Sequence, residues 1–204
     1  MGTEYERMIA GKIYDSSDPE LVALRKKAHD LCREYNLLGE GDPKRRLILA
    51  DLLGVEDIPY LQGPIQFDYG INAKFGKHSY ANFNFVVLDV CPVTVGDNVF
   101  MGPNVSLVTP MHPLLSEERE MFLNEKGVLT DEEYAKPIAI GSDCWFGSNV
   151  TVCGGVTIGG GAVIGAGSVV VRDIPSGVLA AGNPCRVIRK ITAQDSIRLK
   201  KGLR

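Results

Sequence analysis

The chain of 204 residues is short of several things at once. No apolar run approaches the ~20 residues of a membrane-spanning helix, so a helical membrane protein is excluded. Residues 1–20 hold no apolar signal-peptide core. The five cysteines are odd in number and lack paired CxxC spacing, which suits a reducing compartment better than a disulfide framework. A cytoplasmic location is expected. A net charge of −3 gives no global attraction to nucleic acid or an anionic membrane, so neither is an expected partner. Histidine is scarce: His29, His78 and His112 are widely scattered, which disfavours a β-helical metalloenzyme of carbonic-anhydrase type and leaves no metal site to expect. The run Gly159-Gly160-Gly161 completes neither a GxGxxG fingerprint nor a P-loop. What remains is globular, at 45% hydrophobic and 23% charged residues, and long enough to bury a real core. Aromatics are only 7%, whereas glycine, at 23 residues, is concentrated in the last two thirds.

Charge is unevenly spread. Residues 172–204 hold eight Lys and Arg against Asp173 and Asp195, a net +6 in an otherwise acidic chain. Such a segment is either a solvated tail or a local anion site. Residues 1–60 read as helical. Asp18-Pro19-Glu20 opens a helix through about Asn36, with Leu21, Leu24, Ala28, Leu31 and Tyr35 on one face. Asp42-Pro43 starts a second through Leu53, closed by Gly54, and a shorter one covers Glu4–Ala10.

Beyond residue 60 the helical period vanishes, and from Val93 a period of six replaces it. The units are VTVGDN, VFMGPN and VSLVTP, then from Ile138 IAIGSD, CWFGSN, VTVCGG, VTIGGG, AVIGAG and SVVVRD. The third place is always apolar, and the fourth is Gly in six of the nine units. Six residues make one short strand and one turn, with the third residue inward and glycine at the bend. Three units close a triangular coil, and each coil buries its inside only against its neighbours, which is a parallel β-helix. Leu107 and Ile140 are 33 residues apart, not a multiple of six, so about residues 111–136 leave the solenoid as an excursion. Met111–Tyr134 carries a net −5, and long loops on a rigid scaffold are usually functional. A looser six through Ile65, Ile71, Lys77 and Phe83 reads as an irregular first coil. The chain thus divides into a helical segment (1–60), the solenoid (61–185) and a basic C-terminal segment (186–204) with a short helix.

Four motifs then stand out: Tyr80-Ala81-Asn82-Phe83-Asn84; Pro103-Asn104-Val105 followed by Met111-His112-Pro113; Cys144-Trp145-Phe146-Gly147-Ser148; and Ala180-Ala181-Gly182-Asn183-Pro184-Cys185-Arg186-Val187-Ile188. With Ala10-Gly11-Lys12, they resemble the galactoside and maltose O-acetyltransferases, a branch of the hexapeptide-repeat acyltransferases. The resemblance implies a left-handed β-helix, a homotrimer, acetyl-CoA as donor and a sugar hydroxyl as acceptor. It further implies that Asp15, Asp68, Tyr80, Asn82 and Asp89 stand near the acceptor, and that Ser148, Ala166, Arg172, Arg186 and Arg189 line the coenzyme groove. Trp145 either packs along the pantetheine arm or is simply a large residue on the prism face. Asp68 stands where relatives can have serine, Arg172 where lysine is frequent, and Val171 where some carry a hydroxyl.

The residues themselves agree with that chemistry. Acetyl transfer from a thioester to a hydroxyl requires removal of the hydroxyl proton, and imidazole, with a pKa near 6.5, is suited to it. His112, at the edge where the chain leaves the repeats, is the expected general base. The oxyanion needs fixed donors; the resemblance places Asn82 beside the acceptor and the base as the preferred one, and the Ser148 backbone N–H is the second. Cys91, Cys144, Cys153 and Cys185 fall on repeat positions as small core or turn residues, so direct transfer is expected. The alternatives are a non-sugar acceptor (serine, an antibiotic or an amino sugar) and a non-catalytic trimeric binding protein.

Overall fold

The computed structural model describes residues 2–202. Three helices, α1 (Thr3–Ile9), α2 (Pro19–Leu37) and α3 (Lys44–Leu53), precede a three-faced parallel β-solenoid. Asp18 caps α2 by accepting from the Glu20 N–H at 3.0 Å, and Pro19 occupies the first turn, where its missing N–H costs nothing.

The first face stacks Ala73–Phe75, Val93–Val95, Ile138–Ile140 and Thr157–Ile158. The second stacks Tyr60–Leu61, Tyr80–Ala81, Phe100–Met101, Trp145–Phe146, Val163–Ile164 and Val178–Ala181. The third stacks Ile65–Phe67, Phe85–Leu88, Ser106–Val108, Thr151–Cys153 and Val169–Val170. All nine third-place residues of the hexapeptides point inward, none more than 5% exposed.

Two features differ from the sequence reading. The fourth-place glycines do not supply the left-handed bend. They permit close approach between coils: a Cβ on Gly141 would stand 2.5 Å from the Gly160 nitrogen, and one on Gly147 2.6 Å from the Ala166 nitrogen. The positive φ falls two places later, on Asn98, Asn104, Asp143 and Asn149 (φ 54 to 62°), residues that tolerate this region. Their side chains stack from coil to coil, with the Asn84 amide donating to Asn104 and Asn104 to Asn149, both at 2.9 Å. His78 ends a second such ladder, 3.3 Å from Asn98.

The loose six of the lower coils is also out of step. Tyr60, Tyr80 and Phe100 are register partners twenty residues apart, whereas Trp145 and Val163 are eighteen apart. Inward-facing are Ile65, Phe67, Ala73 and Phe85; Ile71 is half-buried, and Lys77 and Phe83 are exposed. The longer lower coils hold an edge-to-face cluster of Phe67, Phe75 and Phe85, with centroids 6.1 to 6.5 Å apart.

One continuous core runs from Ala28, Cys32 and Tyr35 of α2 and Leu49 and Leu52 of α3 through every coil. A second, smaller core joins Tyr5, Met8, Tyr14, Leu21, Tyr69 and Ala135, clamping α1 beside the excursion. The excursion is itself structured. Glu132–Ala135 pairs on one side with Pro110–Met111 and on the other with Tyr14–Asp15, and Phe122–Leu123 pairs with Leu129–Thr130 as a hairpin. At the C-terminus, Arg186–Lys190 is an antiparallel strand on the second face, and the expected short helix takes the form of two 3-10 turns, Ala193–Asp195 and Ile197–Leu199. Leu203 and Arg204 lie outside the described residues. Among those described, no helix is long and apolar enough to cross a membrane.

Candidate active site

His112 follows the strand Pro110–Met111, so its backbone is fixed by pairing of Met111 with Tyr134. The ring is half exposed, and its Nδ1 lies 3.2 Å from Asp131 Oδ2. A carboxylate beside Nδ1 favours the tautomer that carries its proton there, with the Nε2 lone pair open to an incoming hydroxyl. Asp131 is a residue that sequence reasoning missed. Glu133 is another: burial pushes its carboxyl up, and a hydrogen bond to Tyr14 together with attraction to His112 pulls it back. In the sequence both register only as part of the excursion's charge. Their placement depends on long-range pairing of Glu132–Ala135 with two distant strands, which leaves no periodic trace.

Asp15 and Asp131 line one cleft of about 330 Å³ together with Phe122, Asn124 and Thr130. Its carboxylate accepts from Ser17 Oγ at 2.6 Å, Asn124 Nδ2 at 2.8 Å and Thr130 Oγ1 at 3.0 Å. Partial burial pushes this carboxyl up, but those hydrogen bonds outweigh it and hold Asp15 below its ordinary range. Asp68 faces His29 Nε2 at 3.5 Å, so His29 is paired rather than simply solvated. Burial raises the Asp68 pKa against the pull of His29 and Arg25. Tyr80 is half-buried, with its ring 5.2 Å from that of Phe100.

Asp89 requires correction as an acceptor residue. It is fully buried, its oxygens accept from the Tyr69 and Asn72 backbone N–H groups at 2.9 and 3.2 Å, and burial pushes its pKa to about 6. It braces the turn at residues 69–72 and presents nothing to a sugar.

Asn82 and His112 are not brought together within one chain. Asn82 stands on the corner between the second and third faces, just before Phe85–Leu88, and His112 stands beyond the far end of the third face. The strand Phe85–Leu88 alone spans about 10 Å. Asn82 Oδ1 accepts from the Phe83 N–H at 2.8 Å, which leaves Nδ2 without a protein partner among the described residues. Ser148 and Ala166 lie on that same corner, two and three coils higher. The Ser148 N–H likewise has no acceptor among the described residues.

Arg186 sits beside Ala181 on the adjoining face, exposed, with one nitrogen on the Cys185 carbonyl at 2.8 Å. Arg172 is exposed. Arg189 is committed elsewhere, to Asp195 through two contacts of 2.8 and 2.7 Å. Trp145 is on the outer prism face, aligned with Tyr60, Tyr80 and Phe100 as an aromatic ladder beside the corner. Four of the cysteines are buried and Cys153 half-buried; burial raises all five thiols, Cys32 to about 11. Among the described residues, no three His, Cys, Asp or Glu side chains are grouped to hold a metal ion.

The chain is similar to known proteins over nearly all its length. Residues 7–55 match the maltose acetyltransferase hexapeptide capping motif, and residues 137–172 match the bacterial transferase hexapeptide of six repeats. The galactoside O-acetyltransferase of Escherichia coli is 40% identical over 93% of this chain and 90% of its own. The structure of a maltose O-acetyltransferase from Clostridium difficile superposes with a TM-score of 0.82 at 41% identity, covering 94% of this chain and 98% of that one. A hexapeptide-repeat acetyltransferase from Vibrio cholerae, solved with acetyl coenzyme A, superposes with a TM-score of 0.80 at 32% identity, covering 94% and 100%. An inward six-place beat, a broken edge with an oriented histidine and relatives of this closeness lead to one conclusion: the chain belongs to the galactoside and maltose acetyltransferase family of hexapeptide-repeat enzymes.

Proposed function

We propose that this chain transfers the acetyl group of acetyl-CoA to a sugar hydroxyl, by direct attack, in a cytoplasmic homotrimer. The observation that carries the reading is the carboxylate of Asp131 on His112 Nδ1, which readies Nε2 to take a proton. The donor set at the corner between the second and third faces fits the coenzyme: free N–H groups at Asn82 and Ser148, the Arg186 guanidinium for its phosphates and an exposed Trp145 for its long arm, while Arg172, at the other end of the third face, stands like His112 on the side that meets a neighbouring copy's coenzyme. When bound, the coenzyme supplies the activated acetyl thioester.

His112 Nε2 removes the proton as the acceptor oxygen attacks the acyl carbon. Asn82 Nδ2 holds the negative charge that develops on the acyl oxygen, and the Ser148 N–H, two coils away on the same chain, is the second candidate donor. The imidazolium, stabilised by Asp131, returns its proton to the departing sulfur. The raised cysteine pKa values disfavour an acyl-cysteine route, which needs a thiolate. On the acceptor side, Asp15 and Asp131 face one cleft, and paired carboxylates suit vicinal hydroxyls.

Because His112 and Asn82 occupy opposite ends of the third face, one copy holds only part of this machinery. A neighbouring copy completes it, which supports the trimer. Light scattering of the wild type is expected to give three chains.

Replacing His112 with Ala is expected to lower kcat by ~10²- to 10⁴-fold while coenzyme affinity stays within about threefold; equal losses in both would remove His112 from the base role. Arg186→Glu is expected to raise the coenzyme KM about tenfold with little change in kcat. An unchanged KM would move the phosphate contact elsewhere. An acetyl-CoA consumption screen over mono- and disaccharides, nucleoside sugars and serine identifies the acceptor.

A further inference from the structure

We propose that Asp15 is a positioning residue for the transfer reaction: its carboxylate staples the excursion's hairpin beside His112 and so holds Asp131 on the imidazole. This rests on the reading of His112 as the base. It adds a second role to the place of Asp15 beside the acceptor cleft.

The contact between Asp131 and His112 does not hold itself. The two side chains are 26% and 51% exposed. Pairs with this much solvent access are worth little and leave both partners free to reorient. Asp131 also belongs to neither flanking strand, since it stands between Leu129–Thr130 and Glu132–Ala135. Its position is therefore set by its two neighbours, Thr130 and Glu132.

Both neighbours are fixed by Asp15. Thr130 Oγ1 donates to Asp15 Oδ1 at 3.0 Å. Glu132 is the register partner of Asp15 in the antiparallel pairing of Tyr14–Asp15 with Glu132–Ala135. The other strand of the hairpin hangs from the same carboxylate. Asn124, which follows Phe122–Leu123, donates through Nδ2 to Asp15 Oδ2 at 2.8 Å and to Ser17 Oγ at 3.1 Å. Its Oδ1 accepts from the Lys126 and Val128 N–H groups at 3.0 and 2.9 Å, which shapes the turn between the two strands.

Asp15 is anchored without help from the excursion. Its Oδ1 accepts from the Ser17 N–H and hydroxyl at 3.0 and 2.6 Å, and its own N–H donates to Glu4 Oε2, on α1, at 2.7 Å. Four side-chain and backbone donors thus meet a carboxylate with about four lone-pair sites. Such filling suits a brace and exceeds what a sugar contact alone would ask. The strand held by Asp15 also carries Glu133, whose charge acts on His112 as well. Slack at Asp15 therefore reaches both carboxylates around the imidazole, and misplacement of a reacting group by about 1 Å can cost up to ~10²-fold in rate.

Kinetics and imidazole spectroscopy on the full-length enzyme test this, with acetyl-CoA and maltose as substrates and circular dichroism verifying the fold. Asp15→Asn is expected to lower kcat by ~10- to 10²-fold while the acceptor KM stays within about threefold. Thr130→Val keeps the shape and removes the hydroxyl; it is expected to lower kcat about threefold to tenfold, and Thr130→Ser to return it to within about twofold of wild type. In ¹⁵N-histidine spectra of the free enzyme, which need no acceptor, the neutral His112 ring is expected to pass from an excess of the Nδ1–H tautomer to a mixture in Asp15→Asn and Thr130→Val. Because Asp15 acts through Asp131, adding Asp15→Asn to Asp131→Asn is expected to change kcat less than about twofold. A raised acceptor KM at unchanged kcat, wild-type tautomer populations in both variants, or multiplied losses in the Asp15 and Asp131 pair each overturn the positioning role. Those outcomes leave the base reading standing; it fails separately if His112→Ala keeps wild-type turnover. Should Asp15→Asn not fold, the spectra and kcat of Thr130→Val and Thr130→Ser give the same decision.

Discussion

The coils above the excursion and those below it build the same prism by different means. Above, the coils take eighteen residues, the last sixteen, and their inward positions are filled almost wholly by aliphatic side chains at the first and third places of each unit. Below, each coil takes twenty, the interior holds three interlocked phenylalanines, and the corners carry buried polar groups such as Asn72, Ser79 and Asp89. The upper region shows what the repeat achieves when nothing else is asked of it. The lower region shows where additional residues go when a site has to be accommodated: Asn82, Tyr80 and the root of the His112 excursion all belong to it.

Core truncation gives the largest expected contrast. Phe146→Ala removes a fully buried ring from a regular coil and is expected to cost about 3–5 kcal/mol in urea unfolding. Phe67→Ala, in the aromatic cluster, also breaks the ring pairs with Phe75 and Phe85 and is expected to cost more by about 0.5–1.5 kcal/mol for each pair. Equal destabilisation by the two substitutions would mean that the lower coils pack no differently from the upper ones.

Asp89 distinguishes the regions by pH. Burial lifts its carboxyl to about 6 from an ordinary 3.8, so the folded chain takes up the proton first as pH falls. Wild type should therefore gain stability relative to Asp89→Asn between pH 7 and pH 4, on the order of 3 kcal/mol, and lose it again as pH rises through 6. A stability difference that does not change with pH would show Asp89 titrating normally.

The smallest effect concerns the corner ladder that the two regions share. Asn104→Ala, at φ 60°, forces a side chain into left-handed backbone and is expected to cost about 1–2 kcal/mol. Asn104→Gly relieves that strain and should cost less, the remainder measuring the two amide contacts to Asn84 and Asn149.

The same division decides what can be read from the sequence. The three helices lie where spacing, Pro19 and Gly54 put them, and every hexapeptide third-place residue from Val95 to Val170 is inside. Both are local rules repeated often enough to outvote exceptions. Two additional residues per coil defeat the same rule between Ile65 and Phe83, because a beat of six cannot register a period of twenty. Asp131 and Glu133 are illegible for a further reason: their partners are brought by strands about twenty and about 120 residues away in sequence. Asp89 resembles a sugar ligand because its neighbours in sequence form a familiar motif; its burial beside the second, smaller core is a property that only the folded chain discloses.

The placement of the left-handed residue at the sixth position has a wider consequence. Every hexapeptide that ends this way hands the chain on in the same direction, so a full circuit of eighteen residues behaves as an interchangeable brick. Masonry of this kind can be heightened above Ile140 by copying a course without moving the doorway at His112, whereas the uneven courses beneath it are cut to fit one site and have no such freedom.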